Sequence, residues 1–250
     1  MLTRYELNSV CINVVVQNCF LMKKKLLNLS FAAIAILFIS SCSHKNYTTS
    51  YFDQQTANHR LIAVLPAEMI FTGTQPKDVT SEDIAKIEEI ESRLFQNYLF
   101  SAILRYANSK KYYTAIGLQD ISTTQKLLED NNISIRDSWK QDDKKLARLL
   151  GVDAVVRMRI QKTRYMSDLA SFGVGYGQQV LYQIGGVGKY IPYVPNKTND
   201  IYASCNVVSN NQTLWNDDYR GSSNYSVSSE KVVDNITDNF GRHFPYRKRR

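Results

Sequence analysis

At Leu61 the chain changes from scattered polar residues to the unbroken apolar run LIAVL, which stops at Pro66. A short apolar run closed by a proline predicts a buried strand. The loop AEMIFTGTQPKD follows, and then the period changes. Ile84, Ile87, Glu91, Leu94, Tyr98 and Ala102 fall on one helical stripe, widened by Ile90, Phe95, Leu99 and Ile103. This predicts a long helix packed broadly on a sheet. Thr80 and Asp83, at capping-box spacing, mark its start. A second short strand is expected near Tyr113 to Leu118. STTQKLLEDNN predicts a short helix with Ser or Thr at its start and Asn at its end, and the next helix is closed by Gly151. From Asp153 to about Tyr165, Val155 alternates with Arg157 and Met158 with Arg159, so one strand face meets the core and the other meets water. A hairpin turning at Asn210 and Asn211 comes next, since Asn tolerates positive φ. A last helix, about Val227 to Phe240, carries Val232, Val233, Ile236 and Phe240 on one side. Helices interspersed with strands, then a hairpin, predict a single α/β domain over residues 61–241, two layers deep, with helices packed on a mixed sheet.

Around this domain the pattern is different. Residues 42–60 are polar without period and predict a flexible tether. Residues 167–199 form an irregular Gly- and Tyr-rich excursion, whose Tyr176, Tyr182, Tyr190 and Tyr193 are candidate contacts for another protein or another copy. Residues 242–250 read as a basic tail, a solvated end or an attachment to anionic headgroups or cell-wall polymer. Upstream, Lys23, Lys24 and Lys25 precede an apolar run, Leu26 to Ile39, then Ser40, Ser41 and Cys42. That run is shorter than the roughly 20 residues a membrane-spanning helix needs, and it suits a signal peptide over residues 22–41. Residues 1–21 do not suit a signal-peptide n-region and are expected to precede the true translation start.

The block FISSC resembles the lipobox of bacterial lipoproteins. In that family an aliphatic and two small residues are recognised by the signal peptidase, here Ile39, Ser40 and Ser41. The cysteine, here Cys42, receives lipid and becomes the first mature residue. The resemblance implies a lipid-anchored envelope protein whose only attached group is that covalent lipid, on the outer membrane and facing the periplasm.

Within the domain, LIAVLPAEMIFTG, LARLLGVDAVVRMRI and CNVVSNNQTLWNDDYRG occur in that order. They resemble the periplasmic lipoprotein domain shared by curli-secretion (CsgG-like) proteins, LpoB-like activators of penicillin-binding proteins, and the TolB amino-terminal domain. Ala67, where those families carry an aromatic, and Asn210-Asn211, where they carry an acidic-Gly turn, are departures. The resemblance implies an accessory protein docking on a partner in envelope assembly or secretion. An oligomeric secretion channel is the alternative, and an envelope hydrolase a third reading.

Charge and chemistry narrow these classes. The chain carries 31 Lys plus Arg against 23 Asp plus Glu, a formal charge of +8. Between Cys42 and Gly241 the two are equal, so the excess lies at the ends and nucleic acid is not an expected partner. The cysteines Cys11, Cys19, Cys42 and Cys205 show no C-x-x-C spacing, and no metal site is expected. His44 and His59 fall in the expected tether and His243 in the expected tail, which leaves no imidazole on the scaffold for Ser-His or Cys-His chemistry. Asp142/Asp143 and Asp217/Asp218 are adjacent pairs that diverge on a helix or strand. The glycines near Gly188-Lys189 lack the Ser or Thr and the strand-helix context of a phosphate loop. The expectation is a non-enzymatic protein, with homo-oligomer formation left open.

Overall fold

The computed structural model describes residues 46–73, 80–107, 111–164, 199–223 and 229–249. Nine strands and six helices follow one another within these residues: β1 (Asn46–Thr48), α1 (Phe52–Gln55), β2 (Leu61–Val64), β3 (Glu68–Gly73), α2 (Ser81–Ala107), β4 (Tyr112–Thr114), β5 (Gly117–Leu118), α3 (Ile121–Asp130), α4 (Ile135–Lys140), α5 (Asp143–Leu150), β6 (Ala154–Arg164), β7 (Asn199–Ser209), β8 (Gln212–Ser223), α6 (Ser229–His243) and β9 (Arg247–Arg249). Seven strands form one mixed sheet in the order β1-β8-β7-β6-β2-β5, with β3 also on β6; β4 and β9 make a separate two-stranded ribbon. The α/β class with helices on a mixed sheet is as the sequence predicts.

The long helix begins with the reciprocal cap that its spacing foretells: the Thr80 backbone N–H donates to Asp83 and the Asp83 N–H donates back to the Thr80 hydroxyl, at 3.1 and 3.2 Å. Gly151 closes α5 at φ 67° in the left-handed region, where a Cβ costs about 1 kcal/mol or more. Asn210 and Asn211 both have positive φ, 49° and 61°, as a tight hairpin turn between β7 and β8 demands.

β2 and β3 are two parts of one path alongside β6. Val64 is opposite Val156 and Glu68 opposite Arg159, so four chain steps face three and one residue is extra at the Pro66 break. Proline has no N–H to give a ladder, and α2 supplies the missing partners: the Gln96 amide donates to the Val64 carbonyl at 2.7 Å and the Ala67 N–H donates to the Ser92 carbonyl at 3.4 Å. A second irregularity lies in β8, where Leu214 is skipped between Trp215 and Thr213. This bulge lets the consecutive side chains Leu214 and Trp215 both enter the main core.

That core lies between one sheet face and α2 plus α6, and it includes Ile62, Phe95, Leu99, Val156, Ile160, Trp215 and Phe240. Among the described residues the other face is covered toward the Asn210 end of the sheet, where Leu128 of α3 and Leu146 and Leu150 of α5 bury Ala63, Val155 and Val208. The expected two layers thus become three locally.

Three boundaries differ from expectation. Residues 46–60 are not a tether: β1 pairs with Asp217, Asn216 and Trp215 of β8, and Phe52 is buried edge-on to Tyr246, ring centroids 5.2 Å apart. Their polar composition hid one apolar anchor. The residues from 242 on are not a loose tail, because α6 runs to His243, Phe244 and Tyr246 are buried, and β9 pairs with β4. The segment after Pro66 is a strand rather than a loop. Residues 1–21, the signal peptide over 22–41 with Ile39, Ser40 and Ser41, the lipidation residue Cys42, and the excursion with Tyr176, Tyr182, Tyr190 and Tyr193 lie outside the described residues. No described helix is long and apolar enough to cross a membrane.

Candidate functional site

Two buried polar contacts tie the helices to the sheet. Lys162, on the core face of β6, meets Glu91 of α2, both essentially inaccessible, and its ammonium lies 5.3 Å from the Phe71 ring centroid and 5.9 Å from that of Phe95. Burial pushes the Lys162 pKa down, against the opposing pull of Glu91. Asp217, on the core face of β8, receives His243 at 3.2 Å and the Asn239 amide at 3.5 Å, both from α6. Cys205 sits opposite Asp217 in the ladder, and burial, with Asp217 adding to it, raises its pKa well above the ordinary value. Burial therefore favours the neutral thiol over the thiolate, and the Asp217 contacts fasten α6 to the sheet.

Contrary to the sequence expectation, two histidines are held by the scaffold: His243 as above, and His59 at the β2 entrance. His59 Nδ1 lies 2.7 Å from the Tyr246 hydroxyl and its Nε2 lies 3.5 Å from Ser209 Oγ. Ser209 in turn donates to the Asp153 carbonyl at 2.9 Å. These contacts are satisfied together in one direction, Tyr246 to His59 to Ser209 to Asp153, with Nε2 as donor. A donor nitrogen is no base for the serine. Burial lowers the His59 pKa, with Asp153 opposing. The Asp153 carboxylate accepts the Arg60 and Leu61 N–H groups at 2.7 and 3.0 Å, which pins the start of β2 to β6. Among the described residues no cluster of His, Cys, Asp or Glu is arranged to hold a metal.

Ordered polar groups are also displayed on the half of the second sheet face that no described helix covers. Strand register lines its side chains into rows: Glu68, Arg159, Ser204, Asp218; Ile70, Gln161, Tyr202, Arg220; and Arg157, Asn206, Asn216, Tyr47. Side chains directly opposite on one face interact, and here they bond across the strands. The Asn216 amide donates to Asn206 at 2.6 Å. Arg159 is 3.4 Å from Glu68. Arg220 stacks its guanidinium 5.4 Å from the Tyr202 ring centroid, while burial and a hydrogen bond to Asp218 raise the Tyr202 pKa. Arg157 is drawn away to Asp143 and to the Ser138, Trp139 and Gln141 carbonyls, closing the covered end. Among the described residues this is a mixed-charge surface whose side chains are held by one another, and side chains already ordered lose less entropy in any contact.

The sequence alternation foresaw the wet face of β6 but not its continuation over four strands, because row neighbours depend on register. It did contain a sign of the Lys162–Glu91 contact: Glu91 falls on the apolar stripe of its helix and Lys162 on the core parity of its strand.

No family model matches the chain, and no curated protein matches it. Solved structures that resemble it include lipoprotein GNA1162 from Neisseria meningitidis, with 12% identity over 74% of this chain and 96% of that one, at a TM-score of 0.42. The PelC dodecamer from Paraburkholderia phytofirmans has 6% identity over 80% and 94%, at 0.37. The LpoB C-terminal domain from Salmonella enterica has 9% identity over 69% and 92%, at 0.33. At these values the likeness is of partial chain path, and the functional reading rests on this chain's own residues.

Proposed function

We propose that this chain is a lipid-anchored, non-enzymatic accessory protein of the bacterial envelope, held on the outer membrane through Cys42 and facing the periplasm. It docks a partner protein on the uncovered polar face of its sheet. The observation that carries the docking part is the set of cross-strand rows, in which Arg159 and Arg220 are exposed cations among side chains that contact one another across the strands. The partner surface that fits is a folded protein with acidic groups facing those two arginines. The anchoring part rests on the FISSC block with its preceding lysines and apolar run. The polar contacts at Cys205 and Ser209 support a non-enzymatic reading, since neither group faces a free base.

The test uses the lipidated chain in its own envelope. A photo-crosslinker at Gln161 is expected to capture one dominant protein, and the charge reversals Arg159→Glu with Arg220→Glu are expected to cut that yield about tenfold, equivalent to about 1.4 kcal/mol. The same crosslinker at Lys126 serves as the comparison. Equal capture from both positions, insensitive to the reversals, overturns the docking face. Cys42→Ala is expected to leave an unacylated precursor; its partition with membranes like wild type overturns the anchor.

A further inference from the structure

Resting on the anchor at Cys42, the fold fixes which surface of the domain meets the membrane. The first described strand begins at Asn46, not at residue 61, so only four chain steps separate Cys42 from a strand hydrogen-bonded into the sheet. Four steps span at most about 14 Å when fully extended. Asn46 pairs with Asp217, and β8 continues six residues further to Ser223, a length of about 20 Å. The four-step reach keeps a bilayer holding Cys42 within about 14 Å of the start of β1.

That side carries the matching chemistry. Tyr47 and Tyr51 are 56% and 65% exposed, more than any other large apolar residue described, the next being Leu104 and Tyr113 at 40%. Tyr47 lies on β1 itself and Tyr51 immediately precedes α1. They flank a shallow groove lined also by Thr49, Ser50, Gln55 and Gln212. Tyrosine, with an apolar ring and a polar tip, favours the headgroup level of a bilayer. We infer that the β1 edge, with Tyr47 and Tyr51, is a bilayer-contacting surface that rests at headgroup depth on the leaflet holding the anchor. It is inserted no deeper.

The experiment places a fluorophore at Ser50→Cys or Tyr51→Cys, and for comparison at Lys126→Cys on α3, the helix that follows the opposite edge strand β5. The buried Cys205 does not compete for label. Full lipidated chain, its acyl mass verified, is reconstituted in phosphatidylethanolamine and phosphatidylglycerol vesicles containing a headgroup-nitroxide lipid. Quenching is expected to be several-fold stronger at 50 and 51 than at 126. Two positions in the turn after β1 are used so that a perturbed variant at one leaves the other to decide. Equal quenching, or stronger quenching at 126, on acylated chain overturns this inference and leaves the anchor standing. Absence of acyl mass overturns the proposed anchor and this inference with it.

Discussion

Lys162 and Glu91 show how a single residue pair can dominate local energetics. Two charges removed from water cost several kcal/mol each, and their attraction offsets this only while both are present. Lys162→Ala is therefore expected to destabilise the domain by about 3–5 kcal/mol, because it strands a buried carboxylate. Lys162→Met combined with Glu91→Leu should be near neutral or stabilising. Urea unfolding of the single and double variants separates the two outcomes, and equal losses in both would contradict this account. His59 works in the opposite sense, as a neutral group. Its folded pKa lies below the ordinary 6.5 because of burial, so near and below that value the unfolded chain binds more protons than the folded one. Its contribution is fully present above 6.5 and is lost as pH falls through the folded value. The urea midpoint should drop between about pH 7.5 and about pH 5, and drop less in His59→Gln, which keeps hydrogen-bonding capacity without the titration. Identical pH slopes would count against the Tyr246–His59–Ser209 chain.

Among the elements, the contact of α2 with α6 is close at Gly241. A Cβ on Gly241 would lie 2.8 Å from the Ala102 carbonyl carbon and 2.9 Å from its Cβ, closer than atoms approach without a shift. Gly241→Ala gains helix propensity, worth about 1 kcal/mol in an exposed helix, yet overpacking typically costs 1–3 kcal/mol. The net expectation is destabilisation, read as a lower melting temperature; a stabilised variant would mean the helices separate freely. At the other margin, Phe52→Ala should cost about 3–5 kcal/mol if residues 46–60 belong to the domain, and close to nothing if they are a tether. These two elements also mark the limits of legibility. The periods of α2, β6 and the Asn210–Asn211 hairpin are local properties, and the caps at Thr80 and Gly151 are written in neighbouring residues. The strand character of β1, β3 and β9 is not local: each has few residues, no alternation, and a partner far along the chain. For β1 the partner is β8, more than 160 residues on. Likewise the polar face becomes a surface only when register brings Glu68, Arg159, Ser204 and Asp218 into one row.

At the scale of the whole molecule, the short lead before β1 would link the proposed anchor at Cys42 to the proposed docking face. Tyr47 is the outer end of the row that runs through Asn216 and Asn206 to Arg157, so the edge assigned to the lipid surface and the face assigned to the partner share a border. A partner bound there would sit beside the bilayer, its height set by the sheet rather than by a flexible spacer. Lengthening the lead tests that coupling without touching either surface. A 20-residue Gly-Ser insert between Lys45 and Asn46 adds a coil with a root-mean-square span of about 25 Å. Folding should be unaffected, since β1 keeps its ladder to β8, and the urea midpoint should match wild type. Capture of the partner by the Gln161 crosslinker in the envelope should fall several-fold if the partner is itself fixed at the membrane, because the local concentration of the docking face is diluted over a larger volume. Unchanged capture would mean that the partner reaches the domain from solution and that the short lead serves attachment alone.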